Sequence, residues 1–317
     1  MISKSSAGRG HVRSMQGDDL LRPNRTQGGP FIPKRPLCLI RWVVVDEQHG
    51  RDLPSIPGVD PAVPNSARVW DYWLGGDEFY PADKAMADEV ERVLPDIVDQ
   101  ARADRLFLRR VVEFFAGEAG IGQFLDVGTG LPTSNNTHEV AQRLRPDARV
   151  VYVDNDPLVL AHARALLTST PEGMTDYLDV DMHEPDRILD LAGRTLDMAR
   201  PVAITMLGVV WHIVDDDDAV RILGRLVERV APGSHLAISH QTDEITGQQA
   251  RDAVDMWNRD AAPKGVCRSK RQLEELFTAV GLELLPPGVV SCNRWRPEAP
   301  DVLPGEVDQF GGVGVKH

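Results

Sequence analysis

Cysteine is scarce in this sequence, with three residues, Cys38, Cys267 and Cys292, far apart in a chain of 317. So sparse and odd a set, with no metal-ligand spacing, excludes a disulfide-stapled scaffold and a thiolate metal centre, and points to reduced thiols in the cytoplasm. Long hydrophobic runs are missing as well. The best, Leu37 to Val45, is interrupted by Arg41; it falls well short of the ~20 residues of a membrane span and comes too late for a signal peptide. No membrane partner is expected. Positive charge is short too. The net charge is −13; residues 1–35 carry +5 and the remainder −18, and no basic stripe follows, which argues against nucleic acid. There is no G-x-S-x-G, no Cys/His cluster and no convincingly spaced pair of carboxylates, so neither a metal nor a serine nucleophile is expected.

What remains supports a large core: 42% of the residues are hydrophobic, enough for one large or two modest domains. Residues 1–57 read as a disordered leader: 1–36 are rich in Gly, Ser, Arg and Pro, Leu37 to Val45 could form a strand with nothing nearby to pair with, and deletion of 1–50 is expected to leave stability unchanged. Residues 58–120 read as a helical cap. It opens with a short helix within 65–76, capped by Asn65 or Ser66 and stopped by Gly75-Gly76. Val69, Tyr72 and Trp73 form one face of this helix and Arg68, Asp71 and Gly75 another. The helix is either a surface element docked by its aromatics or a lid whose polar face meets a ligand. Helices over 81–94 and 99–119 follow; they read as packing, without evident chemistry.

From residue 121 to the end the period changes. Short apolar runs at 123–127, 149–154, 175–180, 202–207 and 235–239 alternate with helical stretches, the pattern of a parallel sheet covered on both faces. Two further runs, 282–285 and 289–293, are separated only by Pro286-Pro287-Gly288. So short a link predicts an antiparallel pair and one reversed strand in the sheet.

The stretch Phe124-Leu-Asp-Val-Gly-Thr-Gly-Leu-Pro-Thr133 organises the rest. A buried strand that ends in closely spaced glycines and feeds a helix lets the backbone approach a ligand. The dinucleotide pattern G-x-G-x-x-G needs a third glycine where Thr133 stands, which disfavours a nicotinamide dehydrogenase. Gly128 and Gly130 after Asp126 suit a ligand end without phosphate, such as the amino-acid end of S-adenosylmethionine, its carboxylate on the N–H groups of the following helix. Asp126 either anchors the turn or meets the ligand. Asp154, at the tip of the next strand, is placed to accept ribose hydroxyls, with Asn155 beside it, whereas Asp156 before Pro157 reads as a helix cap. Asp181 either accepts from an adenine amine, with Met182 as apolar neighbour, or opens a capping box with Glu184. Leu207, Gly208 and Trp211 border the ligand. His212 and His240 are the candidate bases, since imidazole titrates near neutrality; each also has a purely structural reading. Asp215 to Asp218 read as helix N-terminal acids.

These motifs in combination carry a resemblance. Pro64 to Gly76, Phe124 to Thr133, His138-Glu-Val-Ala-Gln142, Val150 to Pro157, and a terminal Gly288-Val-Val with Trp295-Arg-Pro297 resemble the actinobacterial S-adenosyl methyltransferase family, long known as a domain of unknown function, over about residues 58–315. The resemblance implies a Rossmann-like class I methyltransferase fold, with a seven-stranded, mostly parallel sheet and one reversed strand. It implies S-adenosylmethionine as cofactor, held through Asp126, Gly128, Gly130, Asp154 and Asp181, with Tyr72 and Gly75-Gly76 capping the pocket. The chain departs from the family at Asp77, where the family carries lysine, and within Ser134-Asn135-Asn136, where a glycine is usual. The expected activity is methyl transfer to a small-molecule acceptor. The rival is a regulatory or sensing protein that binds S-adenosylmethionine or S-adenosylhomocysteine and transfers nothing.

Overall fold

Asp126 closes the strand at the centre of the sheet. In the computed structural model, which describes residues 57–297 and 305–317 apart from Ser134 and Leu167, this strand, β1 (Gln123–Val127), is buried throughout. The leader and the run at Leu37–Val45 lie outside the described residues. On one side β1 pairs in parallel with β2 (Arg149–Asp154) and on the other with β4 (Ala203–Leu207). Beyond them lie β3 (Met174–Asp179) and β5 (His235–Gln241), also parallel. The order reverses at β1, so the turn after β1 opens at the topological switch point, where open α/β sheets hold their ligands.

The far edge differs from the sequence reading. The reversed strand is β8 (Gln309–Val315), antiparallel to β5 along its whole length. On its other side lie β6 (Glu283–Leu284) and β7 (Val290–Ser291), each antiparallel to β8. The runs flanking Pro286-Pro287-Gly288 are therefore two pieces of one interrupted strand with a common direction; they do not form a hairpin. The sheet still has seven positions and one reversed strand, in the order β3-β2-β1-β4-β5-β8-β6. Strand β8 hides in the sequence because it reads Phe310-Gly-Gly-Val-Gly-Val, poor in β-formers. Its glycines answer a packing demand: a Cβ at Gly311 would stand 2.7 Å from the Phe107 ring, and one at Gly314 2.9 Å from Leu282 and Phe277.

Each face of the sheet carries its own apolar layer. One contains β-strand residues such as Val151 and Ile204 with Ile188, Ile222, Leu226 and Phe277 from the covering helices α6 (Pro185–Ala192), α7 (Asp216–Glu228) and α9 (Lys270–Ala279). The other joins Phe124, Tyr152 and Ala237 to Phe107 and Val111 of α3 (Ile97–Glu113), Val140 of α4 (Thr137–Leu144), and Trp295. A third layer makes the cap. Here α1 (Ser66–Trp73) and α2 (Pro81–Val93) pack through Val69, Trp73, Met86 and Val90 onto Ala253 and Trp257 of α8 (Gln248–Asp260). The cap is thus built from both ends of the chain. Helix α1 starts where Asn65 Oδ1 accepts from Ala67 N–H at 2.8 Å, and Gly75, at φ +82°, ends it. Helix α5 (Pro157–Leu166) starts as read, with Asp156 Oδ1 accepting from Leu158 N–H at 2.7 Å, and Asp215 caps α7 through Asp218 N–H at 2.9 Å.

Candidate active site

Between the cap and the C-terminal ends of β1 to β4 lies a cavity of ≈ 290 Å³, close to the lower end of the range of sites that take small organic ligands. The glycine turn forms part of its wall. Gly128 and Gly130 both hold positive φ, +73° and +64°, a conformation that costs other L-residues ~1–2 kcal/mol. Gly128 is also packed tightly, since a Cβ there would come within 2.3 Å of Val209. At Gly130 a Cβ would meet nothing within 4 Å, so the backbone faces open space. The turn is latched to β2. Gly128 N–H donates to Val153 O at 2.8 Å and Gly130 N–H to Asp154 Oδ2 at 2.9 Å.

The sequence-derived residues divide into two groups. Asp126, Asp154, Asn155, Asp181, Met182 and Leu207 come together with the turn on the cavity wall, as does His212. Asp126 is fully engaged inside the protein: Thr137 donates to Oδ2 at 2.6 Å and Thr205 to Oδ1 at 2.8 Å, which ties β1 to α4 and β4. Burial raises its pKa, and the two threonines and the Arg105 charge partly offset this. Asp154 accepts from Asp156 N–H at 3.0 Å as well as from Gly130, and burial pushes its carboxyl up to about 6. Asp181 does not cap α6, whose N-cap is Glu184. It accepts from Asn155 Nδ2 at 3.1 Å and from His183 N–H at 2.8 Å, which joins the tips of β2 and β3. His212 Nδ1 donates to Lys264 O at 2.9 Å, and burial pushes its imidazole down to about 4.

The wall does not include Tyr72, Gly75 or His240. Tyr72 points to α2 instead, donating to Asp88 at 2.9 Å and accepting from Lys84 at 2.9 Å; Gly75 only terminates α1. His240 is wholly buried. Its Nδ1 donates to Gln241 O at 2.7 Å and its Nε2 accepts from Arg268 at 2.9 Å. Burial and the Arg268 charge hold it near pKa 3, so it is a neutral fixture of the interior. Of the polar face of α1, Asp71 lines the cavity, whereas Arg68 turns to a buried ion pair with Asp83 at 2.7 Å.

Sequence reasoning missed other parts of the wall. Trp70 and Trp73 of α1 and Trp257 of α8 join Trp211 after β4, which the sequence reading places at the ligand, to present four indoles. Trp73 is 8% exposed, and its Nε1–H has no hydrogen-bond partner among the described residues. Helix α3 contributes Asp104, Arg105 and Leu108. One signal was available: Ala101, Asp104, Leu108 and Val111 share a helical stripe, so an acid stands on an otherwise apolar face. Among the described residues no His, Cys, Asp and Glu cluster is arranged to hold a metal ion, and no helix is long and apolar enough to cross a membrane.

Residues 54–317 match the family model described as S-adenosyl methyltransferase. The chain belongs to the S-adenosyl methyltransferase family. Two crystal structures are similar over most of this methyltransferase. A DUF574 family protein from Streptomyces avermitilis MA-4680 is 42% identical over 80% of this chain and 98% of its own, with a TM-score of 0.76. A candidate methyltransferase from Thermobifida fusca YX is 38% identical over 82% of this chain and 97% of its own, with a TM-score of 0.75. No protein of curated function matches the methyltransferase. The cofactor of this family is S-adenosylmethionine, and the cavity fits it. Its wall brings together open backbone at Gly130, the carboxylates of Asp154 and Asp181, and apolar Met182 and Leu207.

Proposed function

We propose that this methyltransferase acts on a small organic acceptor seated among the cap tryptophans, with the cofactor along the strand ends. The observation that carries the reading is the composition of the cavity: a glycine turn and carboxylates on the sheet side and four indoles on the cap side. Indole faces favour a planar or apolar body.

S-adenosylmethionine supplies an activated methyl group on a sulfonium. The chain's own residues then have to bind and align. Asp154 accepts the ribose hydroxyls, while the Gly130 N–H holds it in place. Asp181, braced by Asn155, accepts from the adenine amine, with Met182 against the ring. Leu207 borders the junction with the acceptor. His212 is neutral at physiological pH and, with a pKa near 4, a weak base; it orients the acceptor more than it deprotonates it. The cap excludes water, and catalysis comes chiefly from holding two reactants in line.

A thermal-shift panel separates this reading from its rivals. S-adenosylmethionine and S-adenosylhomocysteine are expected to raise Tm, and NAD and NADP to leave it unchanged. Single-turnover assays with methyl-labelled cofactor and a small-molecule extract are expected to move the label into an organic product. Stabilisation by the cofactor with no transfer from any extract would favour a sensor.

A further inference from the structure

Helix α3 brings an adjacent acid and base to the cavity. Asp104 and Arg105 both line it, on a helix whose Ala101, Phe107 and Val111 are buried in the core. The two side chains go different ways. Asp104 sits at the ends of β4, β5 and β8: Gln309 Nε2 donates to it at 3.3 Å, Ser239 hydrogen-bonds to it, and one carboxylate oxygen lies 3.9 Å from where a Cβ of Gly208 would stand. Arg105 sits by the glycine turn. Its Nη2 donates to Asn136 Oδ1 at 3.0 Å, and it lies in the field of Asp126.

Arg105 is the single Lys or Arg side chain among the described residues of the wall. The N-terminus of α4 would be the usual place for an anion beside a glycine turn, but it is occupied by its own caps. Asn136 and Glu139 close a capping box on it, and Thr133 N–H donates to Asn136 Oδ1 at 3.1 Å. An anionic ligand group at this end of the cavity therefore meets a guanidinium. Around that guanidinium Asp104 and Asp126 leave an excess of buried negative charge. Both Asp126 oxygens already accept from threonines, which leaves Asp104 as the acid whose partners face the cavity end of β4. Buried charges are costly unless paired, and one anionic and one cationic group side by side on a ligand match this arrangement.

We propose that Asp104 and Arg105 form the clamp for the zwitterionic end of the cofactor, with Arg105 on the α-carboxylate and Asp104 on the α-ammonium. The proposal rests on the S-adenosylmethionine reading of the cavity. It makes α3 the element that measures the cofactor's amino-acid tail, and it gives the protein a preference for ligands that keep the carboxylate.

Isothermal titration calorimetry with S-adenosylmethionine and its decarboxylated analogue tests this on the full chain, without turnover. The unmodified protein is expected to bind S-adenosylmethionine about tenfold or more tighter than the decarboxylated form, the scale of a charge-assisted hydrogen bond. Arg105→Gln is expected to erase that ratio by weakening only the carboxylate-bearing ligand, and Arg105→Lys to restore part of it. Asp104→Asn is expected to weaken both ligands alike, since both carry the ammonium. Equal affinity for the two ligands in the unmodified protein overturns the proposal, and needs no variant to fold. So does a ratio that survives in a folded Arg105→Gln protein. If the unmodified protein binds neither ligand, the underlying cofactor reading fails with it.

Discussion

At the residue scale, the two glycines of the turn do different work, and substitution separates them. Gly128→Ala drives a methyl group into Val209 and strains a left-handed residue, so it is expected to cost about 2 kcal/mol or more of stability in urea unfolding. Gly130→Ala has room within the protein and is expected to cost only about 1 kcal/mol; its larger effect is on calorimetric affinity for the cofactor, because the methyl group occupies the cavity. Asp154→Ala is expected to weaken the cofactor at least about tenfold, and unchanged affinity would remove Asp154 from the ribose. Protonation offers a further check. Burial pushes Asp104 up to about 6, above the ordinary carboxylate range, so its stabilisation of the free protein is fully present below about pH 4 and lost as pH rises through 6. Binding an ammonium has the opposite requirement, since Asp104 must be ionised. Cofactor affinity is therefore expected to fall about tenfold between pH 7.5 and 5. Asp154, also near 6, adds to this trend. Asp104→Asn is expected to flatten the pH profile, and a profile identical to that of the unmodified protein would count against ionised Asp104.

At the scale of elements, the loop after β4 holds its shape through a residue far along the chain. Arg268 is 1% exposed. It donates to Ile213 O at 2.6 Å, to Val210 O at 3.3 Å, to His240 Nε2 at 2.9 Å and to Asp216 at 2.8 Å. Those contacts fix the turn that carries Trp211 and His212 into the cavity wall. Arg268→Met leaves buried carbonyls and an imidazole nitrogen without a donor and is expected to cost about 3 kcal/mol, with cofactor and acceptor affinities falling together. Urea denaturation measures the first effect. This network explains why His240 looked like a base in the sequence: its position at the end of β5 was legible, but its neighbour across the fold was not.

At the scale of the whole molecule, β8 carries a large share of the order. It lies between β5 and the β6–β7 edge, so a chain ending at Asp308 would expose a row of unpaired backbone groups and uncover Phe107 and Phe277. Such a truncation is expected to lose cooperative thermal unfolding by circular dichroism. Its retention would show that the sheet closes without β8. What the amino-acid sequence determined alone was the local part. The five parallel strands, the glycine turn, the acid at the tip of β2 and the Asp156-Pro157 cap depend on side-chain period, backbone freedom and capping chemistry within a few residues. The tertiary structure decided what depends on residues far apart in the chain. It placed a glycine-rich strand inside the sheet because helices crowd against it, and joined α8 to α1 and α2 as one cap. It brought Asp104 and Arg105 of a helix that reads as packing to the cavity wall, and sealed His240 behind Arg268. Burial and partner choice are properties of the assembled core, and no short stretch of the chain contains them.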